Sequence, residues 1–203
     1  MKVPEPDPII GGVVDTYRVP KDGLPDASAE VFVVDQDGIG KYLVRLPKLD
    51  AVERGAFELL RKNLLDSIPV ATTGTAREIV GDYMHRVATG TGIQDVVRES
   101  GGKLLYYLLK EFLGFWEVEP LMNDDKIEEI SVTRFDKPVR VLHRDFSEYS
   151  FIETDITYAS EERLQAFVWF GANLGSFQLE FAGSASDTAN VAADSVIVVS
   201  KAG

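Results

Sequence analysis

The sequence predicts an α+β fold, with an N-terminal β-hairpin and helices followed by a mixed or antiparallel sheet with helices packed on one face. Three observations lead there. Two β-rich runs flank Asp37-Gly38, a dipeptide suited to the tight turn of a hairpin. Several segments between residues 51 and 113 repeat their apolar residues at the helical period. From residue 128 onward, short runs alternate with period two, as strands do.

The elements follow in order. Residues 1–29 are rich in Pro, Asp and Gly and read as an irregular arm, with at most a short strand near 13–19. Residues 30–35 and 40–46 form the hairpin, ended by Pro47. Asp50 caps a helix over 51–65 with Val52, Leu59, Leu60 and Leu64 among its apolar positions. A Pro/Thr/Gly linker covers 67–74, and Thr75 caps a second helix to residue 88 with Ile79, Val80, Tyr83, Met84 and Val87 in period. Residues 93–99 form a short helix that Gly101-Gly102 separate from another over 103–113. Strands are expected at 128–133 and 139–144. Ser160 caps a helix over 161–174, stopped by Gly175, with Leu164, Phe167, Val168 and Leu174 as its buried stripe. In that helix, one of Trp169 and Phe170 is expected to face outward. Residues 176–181 and 195–200 close the sheet. The clustering of turn residues suggests three parts: the arm 1–29, a hairpin-plus-helices region 30–90, and an α+β domain 91–203.

The 203 residues include 33 acidic and 21 basic side chains, for a formal net charge of −12. That balance argues against binding nucleic-acid phosphates, which needs clustered Lys and Arg, and against adsorption to anionic lipid. It fits a protein kept soluble in a high-salt cytoplasm and equally an ordinary acidic protein. No run of apolar residues is long enough for a membrane span, and the N-terminal residues lack the pattern of a signal peptide. The absence of cysteine removes disulfides, thiol nucleophiles and Cys-based zinc sites.

Residues 114–146 carry the most information: an aromatic-apolar patch (Phe115, Trp116, Leu121, Met122), an acidic turn (Asn123-Asp124-Asp125), the run Ile127-Glu128-Glu129-Ile130-Ser131, and a Pro138-initiated strand ending in His143-Arg144. Gly114, Glu119, Pro120, Leu121, Met122, Asp124, Ile127, Glu128, Ile130, Ser131, Pro138, Val139, Val141, His143 and Arg144 match a pattern of the type II/IV secretion-system ATPases. The segment resembles the amino-terminal domain of that family, in its archaeal branch that drives pili and archaella. Upstream, Tyr42 to Glu53 is similar to a second, looser pattern of the family. The likeness covers roughly residues 30–175 and fades after Leu174, where the expected LPDGSR string is missing.

The resemblance implies a cap domain that closes over nucleotide held by a P-loop motor, couples to a membrane platform protein and works within a homo-hexamer at the cytoplasmic face of the membrane, without entering it. The chain has no G-x-x-x-x-G-K-[ST] loop, so it is expected to be non-catalytic, with ATP and Mg implied only through the motor domain. Arg144, Arg140 and Arg134 are the implied phosphate contacts, since guanidinium forks match phosphate oxygens. Phe115, Trp116, Leu121 and Met122 are expected to pack against another domain or a partner. The alternative is a stand-alone interaction or regulatory protein of the same fold with no nucleotide role.

The remaining polar residues have plainer readings. Alternation puts His143 beside Val139 and Val141, as a half-buried structural histidine, and the other histidine, His85, lies on a separate element. Asn123 or Asp124 caps a turn, and Glu128 and Glu129 point to opposite faces of a strand. The run from Asp35 to Gly40 is a hairpin turn, because it lacks the spaced acids of a calcium loop.

Overall fold

The computed structural model describes residues 8–21, 24–66, 75–112, 114–174, 178–182 and 196–200. The chain is α+β and divides into two compact units. One comprises Met1–Val19, Ala29–Arg45 and Glu117–Gly203; the other comprises Pro20–Ser28 and Leu46–Trp116. This division differs from the three consecutive parts expected from turn residues. The turn near residue 90 joins two helices that pack on each other, so it links one unit instead of separating two.

The sheet runs β1 (Gly12–Lys21), β2 (Leu24–Gln36), β3 (Ile39–Arg45), β4 (Ile127–Val132), β5 (Arg140–His143), β6 (Phe151–Thr154), β7 (Gln178–Ala182) and β8 (Val196–Ser200) in chain order. Its spatial order is β1-β2-β3-β6-β5-β4-β8-β7. The β3–β6 pair is parallel, whereas β2–β3, β5–β6, β4–β5, β4–β8 and β7–β8 are antiparallel. The stretch expected as an arm therefore contributes β1 and the start of β2. Its prolines sit where no central strand needs their missing N–H: Pro20 lies on an edge strand, and Pro25 is the second residue of β2.

The expected hairpin is present. Gln36 pairs with Ile39, leaving Asp37 and Gly38 as a two-residue turn with φ of 54° and 83°. The Gly38 N–H donates to Asp35 Oδ1 at 2.9 Å, and Tyr149 Oη donates to Asp35 Oδ2 at 2.6 Å. Strand β6 is not visible as a period in four residues, since long-range pairing recruits it: Ile152 against Val141 on one side, Thr154 against Tyr42 on the other. Two further helices belong to this unit. The short α4 (Glu119–Asn123) leads into β4, and α5 (Glu161–Leu174) buries Leu164, Phe167 and Val168 while Trp169 is 64% exposed. Leu174 and Gly175 lie outside the residues whose side chains are described, as does Phe170.

The second unit is built on α1 (Ala51–Asp66), α2 (Ala76–Thr91) and α3 (Gln94–Phe112). Leu60, Leu64, Val80, Met84, Leu104 and Leu108 are among its buried residues. Val52, expected in the apolar stripe of α1, is 65% exposed, because Glu53 occupies the buried position of that turn. Thr75 and Glu78 form a reciprocal capping box at the start of α2, and Gly92 ends it in the left-handed conformation, φ 77°. The two helices expected on either side of Gly101-Gly102 are present and meet at a kink: Ser100 interrupts the helical run of α3 with φ −124°, ψ 18°. Two mid-helix glycines cost about 1 kcal/mol each relative to alanine. Burial of Val97 and Leu104 on the flanking turns offsets that cost.

Ser100 has a second role. Its hydroxyl donates to Glu53 Oε1, which also takes the Lys103 ammonium. Glu53 Oε2 accepts the Asp50 N–H at 2.8 Å while Asp50 Oδ1 accepts the Glu53 N–H at 2.8 Å. One buried carboxylate thus closes the α1 cap and ties α1 to the bend of α3. The Lys103 hydrogen bond, then the Ser100 one, pull the Glu53 pKa down from 4.5 to about 2. A carboxyl whose folded pKa is depressed stabilises the fold above its unfolded pKa and loses that contribution as pH falls toward the folded value. Glu53→Gln is therefore expected to cost about 2 kcal/mol near neutrality and to flatten the fall in stability between pH 4.5 and 2. Urea unfolding midpoints across that range check it; a midpoint unchanged by the substitution would count against the role.

Candidate functional site

The motif segment lies at the middle of the sheet. Strands β4 and β5 pair antiparallel, with Ile130 opposite Val141 and Ser131 opposite Arg140. Alternation along β5 buries Val141 and His143 and leaves Arg140 and Leu142 partly exposed. Pro138 starts this segment, and Val139, buried beside it, bonds through its N–H to the Ile156 carbonyl at 2.8 Å. Ser131 is buried between Ile130 and Val132, so β4 is covered on both faces.

Asp124, at the α4–β4 turn, is the polar centre. It is 3% exposed. Its Oδ2 accepts the Tyr42 hydroxyl at 2.6 Å and the Tyr17 hydroxyl at 2.7 Å, and its Oδ1 accepts the Lys126 N–H at 2.9 Å. His143, fully buried, completes the network. Its Nδ1 lies 3.1 Å from the Asp145 N–H, which can only donate, so Nδ1 must accept. In the neutral ring the proton then sits on Nε2, 2.9 Å from Tyr17 Oη. That oxygen can accept from Nε2–H while giving its own proton to Asp124. One tautomer satisfies every donor once: His143 to Tyr17, Tyr17 to Asp124, Tyr42 to Asp124.

Burial lowers the His143 pKa, outweighing the Asp124 and Asp145 carboxylates that raise it. Burial, reinforced by the bond to Asp124, raises those of Tyr17 and Tyr42 well above the ordinary phenol value. Above this cluster, Lys126 Nζ reaches Asp145 Oδ2 at 3.0 Å and Asp15 Oδ2 at 3.4 Å, and stands 4.3 Å from the centre of the Tyr17 ring. The bond to Asp145 raises the Lys126 pKa. Phe146 packs its ring 4.8 Å from the imidazole. A buried histidine with both nitrogens engaged has no lone pair or proton to offer a substrate, so this network is a clamp. It joins β1, β3, β5 and the turn before β4 through side chains.

The three arginines stand apart from it, each engaged by its own neighbour. Arg134 makes two bonds of 2.9 Å to the Asp136 carboxylate in the β4–β5 turn. Arg140 lies 5.6 Å over the Phe151 ring. Arg144 places Nε 3.2 Å from Glu128 Oε1, both side chains largely exposed at 64% and 47%. The adjacent Asp145 holds Lys126 instead. Among the expected packing residues, Leu121 is fully buried and belongs to the core of its unit, whereas Phe115, Trp116 and Met122 are half-buried. Trp116 Nε1 donates to the Glu111 carbonyl at 2.9 Å.

Sequence reasoning gave Asp124 as a turn cap, which its bond from the Lys126 N–H bears out, but missed Tyr17, Tyr42 and their meeting on that carboxylate. Tyr17 sits in the run near 13–19 read as at most a short strand, and no local signal marks a tyrosine whose partner is 107 residues away. Among the described residues no group of three or more His, Asp or Glu is placed to hold a metal ion, and no helix is long and apolar enough to cross a membrane.

No family model matches the chain. A stretch of 133 residues is 32% identical to the uncharacterized protein MJ1288 of Methanocaldococcus jannaschii, taking in 63% of this chain and 50% of that protein. The chain thus spans about half the length of the curated relative it matches.

The clamp makes a pH prediction. A base whose folded pKa is depressed binds protons more readily when unfolded, so stability falls as pH drops through the ordinary histidine value of 6.5. Wild-type protein is expected to lose stability between pH 7.5 and 5, and His143→Gln to lose that slope while costing about 2 kcal/mol at neutrality. Chemical denaturation at stepped pH measures both. Equal slopes in the two proteins would show that His143 does not titrate on unfolding.

Proposed function

We propose that this chain is a non-catalytic docking domain of a secretion or pilus-assembly ATPase, closing over nucleotide carried by a P-loop motor and coupling that closure to a membrane platform protein. The resemblance in residues 114–146 carries the reading, together with where its residues lie. Eleven of the fifteen matching residues are buried, including Leu121, Asp124, Ile127, Ile130, Ser131, Val139, Val141 and His143. The pattern is therefore a packing requirement, and two of its charged members, Glu128 and Arg144, remain largely exposed. An exposed ion pair is worth only about 0–1 kcal/mol, so Arg144 can leave Glu128 for a phosphate at little cost. A guanidinium offered at the rim of a rigid sheet suits phosphate contact in trans, with rigid-body movement transmitting the result. The work would be done at the cytoplasmic face of the membrane, in a hexamer assembled by the motor.

A second reading, a stand-alone interaction protein with no nucleotide role, is favoured by a specific feature: Arg134 and Arg144 each already face a carboxylate. One experiment separates the two. The chain is mixed with the P-loop motor of its own system, with and without Mg and a non-hydrolysable ATP analogue, and association is measured. The first reading expects nucleotide-dependent association that Arg144→Ala weakens about tenfold and Glu128→Gln preserves or strengthens. Association indifferent to nucleotide and to both substitutions supports the second reading; none at all counts against both.

A further inference from the structure

The helical unit contains a groove that the fold does not use. It follows the seam between α2 and α3 and is closed on one side by the start of β2, enclosing about 750 Å³. That volume lies within the range of binding clefts, roughly 300–1,000 Å³. Its floor is apolar, with Leu24, Met84, Val97 and Leu105. Gly81, Gly101 and Gly102 leave holes in its walls: a Cβ at Gly81 or Gly102 would meet nothing within 4 Å, and one at Gly101 would meet only the Met84 methyl at 3.7 Å.

The charge of the groove runs against that of the chain. The protein has 33 acidic and 21 basic residues, yet the charged or titratable residues lining the groove are Arg77, His85 and Arg98, without a carboxylate. Arg98 also reaches Asp95 at 2.8 Å, but those side chains are 71% and 80% exposed, an i,i+3 surface pair that is easily exchanged. The two guanidinium groups come from different helices, Arg77 from α2 and Arg98 from α3, so they flank the apolar floor and do not share one point of it. A helix suits such a groove: its apolar stripe would fill the floor, its side chains would enter the glycine holes, and carboxylates along its flanks would meet the arginines.

We propose that the α2–α3 groove is a docking site for an acidic amphipathic helix of a partner protein. The proposal concerns the helical unit and does not rest on the Arg144 reading.

The test uses the full chain and an 18-residue probe helix with leucines at i, i+3, i+4 and i+7 flanked by glutamates, beside a twin carrying lysine at every glutamate. Amide NMR titration reads the Gly81, Gly101 and Gly102 signals. The glutamate peptide is expected to shift these three and the lysine twin to leave them unmoved. Reversing the charges with Arg77→Glu and Arg98→Glu should exchange that preference. Gly81→Leu, which has space for its Cβ and so keeps the fold, should weaken binding at least about tenfold. The proposal fails if neither peptide binds at millimolar concentration or both bind alike. It also fails if the shifts map elsewhere, or if dodecanoate occupies the groove and excludes the peptide, which would make it a small-molecule site.

Discussion

Three strands of the sheet, and the turn that leads into a fourth, depend on one buried carboxylate. Asp124 collects the hydroxyls of Tyr17 and Tyr42, one from β1 and one from β3, and through Tyr17 it fixes His143 on β5. A buried polar group without partners costs more than a satisfied one contributes, so each member of this network constrains the others. Remove the Asp124 acceptor and both tyrosine hydroxyls lose the oxygen they share. Charge His143 and a second N–H is driven against the Asp145 N–H. Such a network helps to fix the register of β5, a strand of four residues whose own pairing is brief.

This clamp changes how the motif is understood. A string of Asp, Glu, His and Arg in a compact segment invites a catalytic reading. The burial pattern assigns most of those residues to holding the turn and the strand pair, and leaves Arg144 and Glu128 at the surface. The unit built on α1, α2 and α3 follows the same division of labour. Glu53 is buried and internally paired, whereas Arg77 and Arg98 are set on the rim of a groove.

Much of the fold was legible because its signals are local. The caps at Asp50 and Thr75 and the turn at Asp37-Gly38 each state their structure within a few residues, and all three formed as read. The α2 stripe and the alternation of β5 were equally plain. The parts that escaped notice are set by distance along the chain. Strand β6 exists because Val141 and Tyr42 flank it, and β1, expected as at most a short strand near 13–19, runs from Gly12 to Lys21 along the edge of the sheet. Gly101-Gly102 marked the interruption of α3, but the bond from Ser100 to Glu53, on another helix, had no local signal. Of the site, Asp124 and His143 stood out by residue type; their union with Tyr17 and Tyr42 needed the fold.

The central claim is that His143 is a neutral, structural imidazole with its proton on Nε2 and its Nδ1 accepting a backbone N–H. Nitrogen-15 NMR of the imidazole ring across pH reads this directly. The account predicts a single Nε2–H tautomer that persists below the pH at which an ordinary histidine ionises, until the protein unfolds. A ring that carries its proton on Nδ1, or that ionises near pH 6.5 in the folded protein, would contradict it.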